Sequence, residues 1–151
     1  QISNMFLLKD LGPEPMSQKF NIDHLFEIAK RRTCSVKELI MNQRIVVGIG
    51  NIYATEALFL SNIHPAAPAN KISKHKYEIL IKNIKHVLSK AISMGGSTIK
   101  DFINAEGKPG YFSQELLVYK KKYCHIHKKN LISNIKIAGR SSFFCDKCQK
   151  L

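Results

Sequence analysis

Two residues separate Cys124 from His127, and two separate Cys145 from Cys148, so a C-x2-H pair is followed by a C-x2-C pair. Thiolate and imidazole are the ligands that tetrahedral zinc prefers, and two such pairs joined by a hairpin-length stretch form a closed structural site. The expectation is therefore one structural Zn2+ held by Cys124, His127, Cys145 and Cys148. The alternative is a disulfide or idle thiols, and it fits poorly: disulfide frameworks belong to small secreted chains with more cysteines than the four present here. His127 is preferred to His125 because it reproduces the x2 spacing of the second pair, although His125 is near enough to reach the metal after a different turn.

A metal staple implies a segment that cannot hold itself together, and the charge distribution agrees. Lys and Arg number 24 against 11 Asp and Glu, a net charge of +13 with pI near 9.7. From residue 116 onward the chain carries Lys120, Lys121, Lys122, Lys128, Lys129, Lys136, Arg140, Lys147 and Lys150 against Asp146 alone. Such an excess points to a polyanionic partner, with protein partners the weaker alternative. At 151 residues and 44% hydrophobic content, the chain can form one domain of about 100 residues with a small metal-held appendage. No apolar run approaches the roughly 20 residues of a spanning helix, so no membrane role is expected and a cytosolic protein is.

The elements that must carry these residues are mostly helical. Residues 1–15 begin Gln1-Ile2 and end Leu11-Gly12-Pro13-Glu14-Pro15. Two prolines bias this stretch toward extended backbone, and it reads as a linker or the remnant of a preceding domain. From Asn21 the pattern turns helical through Leu25, Phe26, Ile28 and Ala29, with Lys30-Arg31-Arg32 at the negative end of the helix dipole. Ser35-Val36-Lys37-Glu38 matches a capping box and starts a second, short helix. Gly48-Ile49-Gly50-Asn51 interrupts the helical pattern. Asn51 is read as the cap of a third helix, whose apolar side is Ala54, Ala57, Leu58 and Leu60 and which Pro65 stops.

The longest helix begins after Ser73. Tyr77, Leu80, Ile81, Ile84, Val87, Leu88, Ala91 and Ile92 recur at three- and four-residue steps until Gly95-Gly96, with lysines off the stripe. A loop around Gly107-Lys108-Pro109-Gly110 follows. Alternation at Ile135 and Ile137 then predicts a β-hairpin turning near Gly139, with Arg140 at its tip. The fold class is thus mainly α, with a zinc-bound β-hairpin at the C-terminal end.

Gly48-Ile49-Gly50-Asn51-Ile52-Tyr53-Ala54-Thr55-Glu56, Ile63-His64-Pro65, Gly95 to Phe102, Gly107 to Phe112, Ala138-Gly139-Arg140 and Cys145 to Gln149 occur in an order and spacing that resembles the formamidopyrimidine-DNA glycosylase family. The related endonuclease VIII group shares the architecture, but the Ile63-His64-Pro65 and Gly107 to Phe112 stretches are more similar to the formamidopyrimidine branch. The resemblance implies a helix-two-turns-helix domain over residues 16–112 and a zinc finger over 113–151, the C-terminal half of a bifunctional base-excision repair enzyme. That enzyme removes oxidised purines such as 8-oxoguanine and formamidopyrimidines, then nicks the abasic strand by β,δ-elimination. Its nucleophile is an N-terminal proline on a separate domain. Pro13 is internal and has no free secondary amine, so the chain is expected to bind DNA without cutting it. A stand-alone zinc-containing nucleic-acid-binding module is the alternative.

Residue by residue, the resemblance implies that Asn51 binds a phosphate flanking the lesion. The glycine turn ending at Gly50 supports this, since amides at a helix start form a concavity for an anion. Arg140 matches the arginine that grips lesion phosphates and donates the proton for δ-elimination, a task suited to a forked guanidinium. Tyr119 matches a phosphate-binding tyrosine, with core packing as its bland alternative; Lys37 matches a lysine near the lesion, with an exposed first-turn position as its own. Lys100 and the loop through Tyr111 resemble the segment that closes over an everted base. The implied partner is damaged or abasic double-stranded DNA, bound by a monomer in the bacterial cytoplasm at the nucleoid. One departure stands out: the family's finger has four cysteines, and here His127 occupies the second position.

Overall fold

The computed structural model describes residues 11–93 and 116–151. Among the described residues four α-helices come first, α1 at Ile22–Ala29, α2 at Val36–Met41, α3 at Asn51–Leu60 and α4 at Lys74–Ser93, with a 3-10 turn at Ala69–Lys71 before the last. A two-stranded antiparallel hairpin, β1 at Ser133–Ile137 and β2 at Arg140–Phe144, ends the architecture. The mainly α class with a terminal hairpin is as the sequence predicts. Lys100, the Gly95-Gly96 helix end and the motif around Gly107 to Phe112 lie outside the described residues.

Local chemistry accounts for the helix starts. Asn21 Oδ1 accepts from the His24 amide at 3.0 Å, and Ser35 Oγ accepts from the Glu38 amide at 3.1 Å, each satisfying a donor that has no partner inside its helix. The third start differs from expectation. Gly50 is the N-cap, with φ −82° and ψ 174° and no side chain to offer, while Asn51 is the first helical residue. Its amide is committed elsewhere, to the hairpin.

α3 also departs from the one-sided reading. Every residue from Asn51 to Phe59 is buried, because α4 packs on one side, α2 on another and β2 on a third. A helix hydrophobic all round is what such a central position demands. The main core gathers Phe20, Leu25, Leu39, Ile40, Leu58, Tyr77, Leu80 and Ile84 among others around it. A second, smaller cluster consists of Phe59, Val118, Cys124 and Cys145. Phe59 therefore ties α3 to the C-terminal segment; burying one such ring is worth about 1.5–3 kcal/mol.

The hairpin pairs Ser133 with Phe144 at one end and Ile137 with Arg140 at the other. Ala138 and Gly139 form the two-residue turn, at φ 50° and 79°. Both central positions of a type I′ turn need the left-handed region, which matches the strand twist, and glycine alone occupies it without cost. Among the described residues no helix is long and apolar enough to cross a membrane.

Candidate functional site

Cys124 Sγ, His127 Nδ1, Cys145 Sγ and Cys148 Sγ lie within 4.8 Å of one another. Cys124 Sγ and Cys148 Sγ are 3.7 Å apart, and His127 Nδ1 is 3.2 Å from Cys148 Sγ and 3.9 Å from each of Cys124 Sγ and Cys145 Sγ. A tetrahedral divalent ion with metal–sulfur bonds of about 2.3 Å and metal–nitrogen bonds of about 2.1 Å has edges of roughly 3.6–3.8 Å. The separations of 3.2–3.9 Å bracket that figure, so the cluster can hold a metal ion. His125 is excluded from it by packing: its ring lies against Phe59, with centroids 5.6 Å apart.

The electrostatics of the cluster also call for a cation. Burial raises the Cys145 thiol, but hydrogen bonds from the Cys148 and Lys147 backbone outweigh that and bring it down to about 7. Burial and the neighbouring Cys145 and Cys124 sulfurs push Cys148 up to about 12. Three thiolates at these distances repel one another, and a dipositive ion removes the conflict. Two further donors reach the sulfurs, the His127 amide to Cys124 Sγ at 3.3 Å and Asn130 Nδ2 to Cys145 Sγ at 3.3 Å. Asn130 also bonds Asp146 Oδ1 at 2.9 Å. Its part went unread in the sequence, where an Asn after two lysines looks like any turn residue.

Between the helical core and the hairpin runs a cleft of about 360 Å3. Lys37, Gly50, Ala138 and Arg140 are among its lining residues. Arg140, the first residue of β2, is exposed. Asn51 Nδ2 donates to Ser141 O at 3.0 Å, and its Oδ1 is buried without a hydrogen-bond partner among the described residues. Ser141 O accepts a second bond, from Lys37 Nζ at 3.1 Å, and Lys37 Nζ also donates to Ser142 Oγ at 2.6 Å. Lys37 is only 1% exposed, which sets aside the reading of an exposed first-turn residue. Burial, and then the Arg140 guanidinium, push its ammonium down to about 8. The start of α3, a guanidinium and an inward lysine thus converge on one cleft, an arrangement suited to an anion.

Glu56 holds the two parts of the chain together. Its carboxylate accepts three backbone amides, from Leu117 at 2.6 Å, Val118 at 2.9 Å and Tyr119 at 2.8 Å. Burial raises its carboxyl, and the Leu117, Tyr119 and Val118 amides oppose that rise. Tyr119, strapped down in this way, is half-buried with its ring edge-on to Phe143 at 5.1 Å and Lys120 Nζ 5.8 Å from its face. The structure therefore gives Tyr119 the packing role that the sequence offered as its alternative, on the same side chain that the resemblance marks for phosphate. Glu56 was legible as a lone acid in the apolar run from Ile52 to Leu60; its partners were not.

The family model described as the formamidopyrimidine-DNA glycosylase H2TH domain matches residues 11–103. The formamidopyrimidine-DNA glycosylase of Glaesserella parasuis is 49% identical over 146 residues, which cover 96% of this chain and 53% of that protein. The Idiomarina loihiensis protein of the same name is 46% identical over 151 residues, 99% and 56% of the respective chains. Among solved structures, the MutM (Fpg) protein from Thermus thermophilus superposes with TM-score 0.85 at 33% identity, over 97% of this chain and 56% of that one. The Lactococcus lactis Fpg, solved as a complex with abasic-site DNA, gives 0.86 at 35%, over 100% and 56%. The chain spans about half the length of the curated relatives it matches. From the converging cleft, the Cys/His cluster and these matches, the chain belongs to the formamidopyrimidine-DNA glycosylase family, corresponding to its helix-two-turns-helix and finger portion.

Proposed function

We propose that this chain is the DNA-binding half of a base-excision repair glycosylase and AP lyase acting on oxidised purines, 8-oxoguanine and formamidopyrimidines among them. Residues 16–112 supply the helical platform and 113–151 the finger. One observation carries the reading: Asn51 at the start of α3 and the backbone beside Arg140 meet at a single carbonyl, Ser141 O, so two phosphate-binding groups are fixed relative to each other. The likeness to an Fpg solved with abasic-site DNA supports it. In this reading Asn51, the amides following Gly50 and Arg140 grip phosphates flanking the lesion, Tyr119 borders them, and Lys100 belongs to the segment over the everted base. Arg140 also donates the proton for δ-elimination.

The metal is a structural Zn2+ on Cys124, His127, Cys145 and Cys148. Zinc suits a closed three-thiolate, one-imidazole set, and its role is to fold the finger that carries Arg140. The protein acts as a monomer in the bacterial cytoplasm, at the nucleoid. These 151 residues bind DNA without cutting it in this reading, because Pro13 is internal and offers no secondary amine.

The test is binding of the zinc-loaded chain to a duplex with an abasic-site analogue across a salt series. Each phosphate neutralised contributes about −0.9 to the slope of log affinity against log salt. Arg140→Ala is expected to weaken binding about tenfold or more, the loss of a charge-assisted contact, and to flatten that slope by about 0.9. A flat salt response in the parent chain sinks the reading. Robust nicking of an 8-oxoguanine duplex by these 151 residues, lost in Arg140→Ala, overturns the claim that they bind without cutting.

A further inference from the structure

Lys37 presents a contradiction between chemistry and place. Its type suits a phosphate, yet it is almost fully buried and its Nζ is spent on Ser141 O and Ser142 Oγ. The hydroxyl it meets is itself fully buried and donates in turn to Arg140 O at 3.2 Å. The Ser142 amide is held by Asn134 Oδ1 at 3.1 Å. A continuous relay therefore runs from Lys37 Nζ through Ser142 Oγ to the carbonyl of Arg140, across the seam between helical core and hairpin. All three atoms are protein atoms, and none requires DNA.

We propose that Lys37 is a positioning residue, which fixes the backbone of the Arg140 turn through Ser142 and does not itself bind phosphate. The inference rests on the reading that Arg140 contacts the DNA backbone. Hairpins are stable only marginally on their own, and this one carries its working residue beside a two-residue turn, where a small tilt moves a guanidinium by a large arc. The ammonium prevents that tilt by donating twice to consecutive residues. Asn51 adds a third donor at the same point. Lys37 stands 104 residues from Ser141 in sequence, so the relay is the place where α2 sets the pose of a side chain on the finger.

Two measurements on the 151-residue, zinc-loaded chain test this, with Lys37→Met and Ser142→Ala as variants; both keep the core filled, and native mass spectrometry checks that each retains its metal. Without DNA, amide exchange at Arg140 and Ser141 is expected to accelerate about tenfold in both variants, while exchange in α4 stays as in the parent. With DNA, both are expected to lose about tenfold in affinity, the double variant to lose no more than either single one, and the salt slope to remain unchanged. If Lys37→Met lowers the slope by about 0.9 while Ser142→Ala is silent, Lys37 is a direct phosphate contact and the proposal fails. Unchanged exchange at the turn in both variants also overturns it. If the turn loosens but neither variant nor Arg140→Ala alters DNA affinity, the relay stands as structure and the reading of Arg140 is what fails.

Discussion

The resemblance implies a second cysteine where His127 stands, and a histidine there changes the proposed zinc site in a definite way. Three thiolates and one neutral imidazole leave the zinc-loaded site with one negative charge fewer than four thiolates would. In a segment whose only acid after residue 116 is Asp146, that change makes the finger more cationic still. The geometry also names the ligand atom: His127 approaches through Nδ1, 3.2 Å from Cys148 Sγ, while His125 is turned onto Phe59. Native mass spectrometry should therefore find stoichiometric zinc in His125→Ala and its loss, or at least tenfold weaker retention, in His127→Ala. The reverse pattern would transfer the ligand to His125. Asn130, which donates to Cys145 Sγ, is the residue whose removal should weaken zinc without touching a ligand.

At the scale of elements, one side chain of α3 supplies three of the hydrogen bonds that join helical core to C-terminal segment. Glu56 accepts three successive amides of the segment that leads out of the core, and that segment places Val118 against Phe59 and Cys124. Glu56→Ala leaves three amide donors, one buried and two part-buried, without an acceptor and is expected to cost about 3 kcal/mol in thermal or denaturant unfolding of the zinc-loaded chain. Glu56→Gln retains one acceptor oxygen and should cost less. Equal stability of Glu56→Ala and the parent would show that water replaces the carboxylate fully. The hairpin at the other end of the segment has its own requirement, left-handed backbone at both Ala138 and Gly139. Its turn was readable from Gly139, because glycine beside an alternating apolar pattern is a turn signal; the positive φ at Ala138 was not, since alanine gives no such signal.

At the scale of the whole molecule, two apolar clusters of unequal size among the described residues divide the labour. The helical core is large and continuous. The second cluster has four buried members, two of them cysteines of the proposed metal site, too few to offset the ordering of residues 116–151 without an ion. A strong chelator should therefore abolish the β1–β2 pairing and DNA binding together while most helical circular dichroism persists. Loss of helix in step with zinc would mean that the core depends on the finger.

The sequence by itself determined what local rules and spacing can carry. Helix starts at Asn21 and Ser35, the stripe of α4, the hairpin turn, the two ligand pairs and the family motifs all depend on residues within a few positions of one another, and each was readable there. Only the tertiary structure decided which groups meet across long separations. It put α3 at the centre, where one apolar side became burial all round. It moved the cap from Asn51 to Gly50, tied the Asn51 side-chain Nδ2 to Ser141 O, and turned Lys37 inward onto the finger. Those outcomes follow from satisfying buried polar groups with whatever partner the packed chain brings within about 3 Å, and that partner is chosen by the fold rather than by neighbours in sequence.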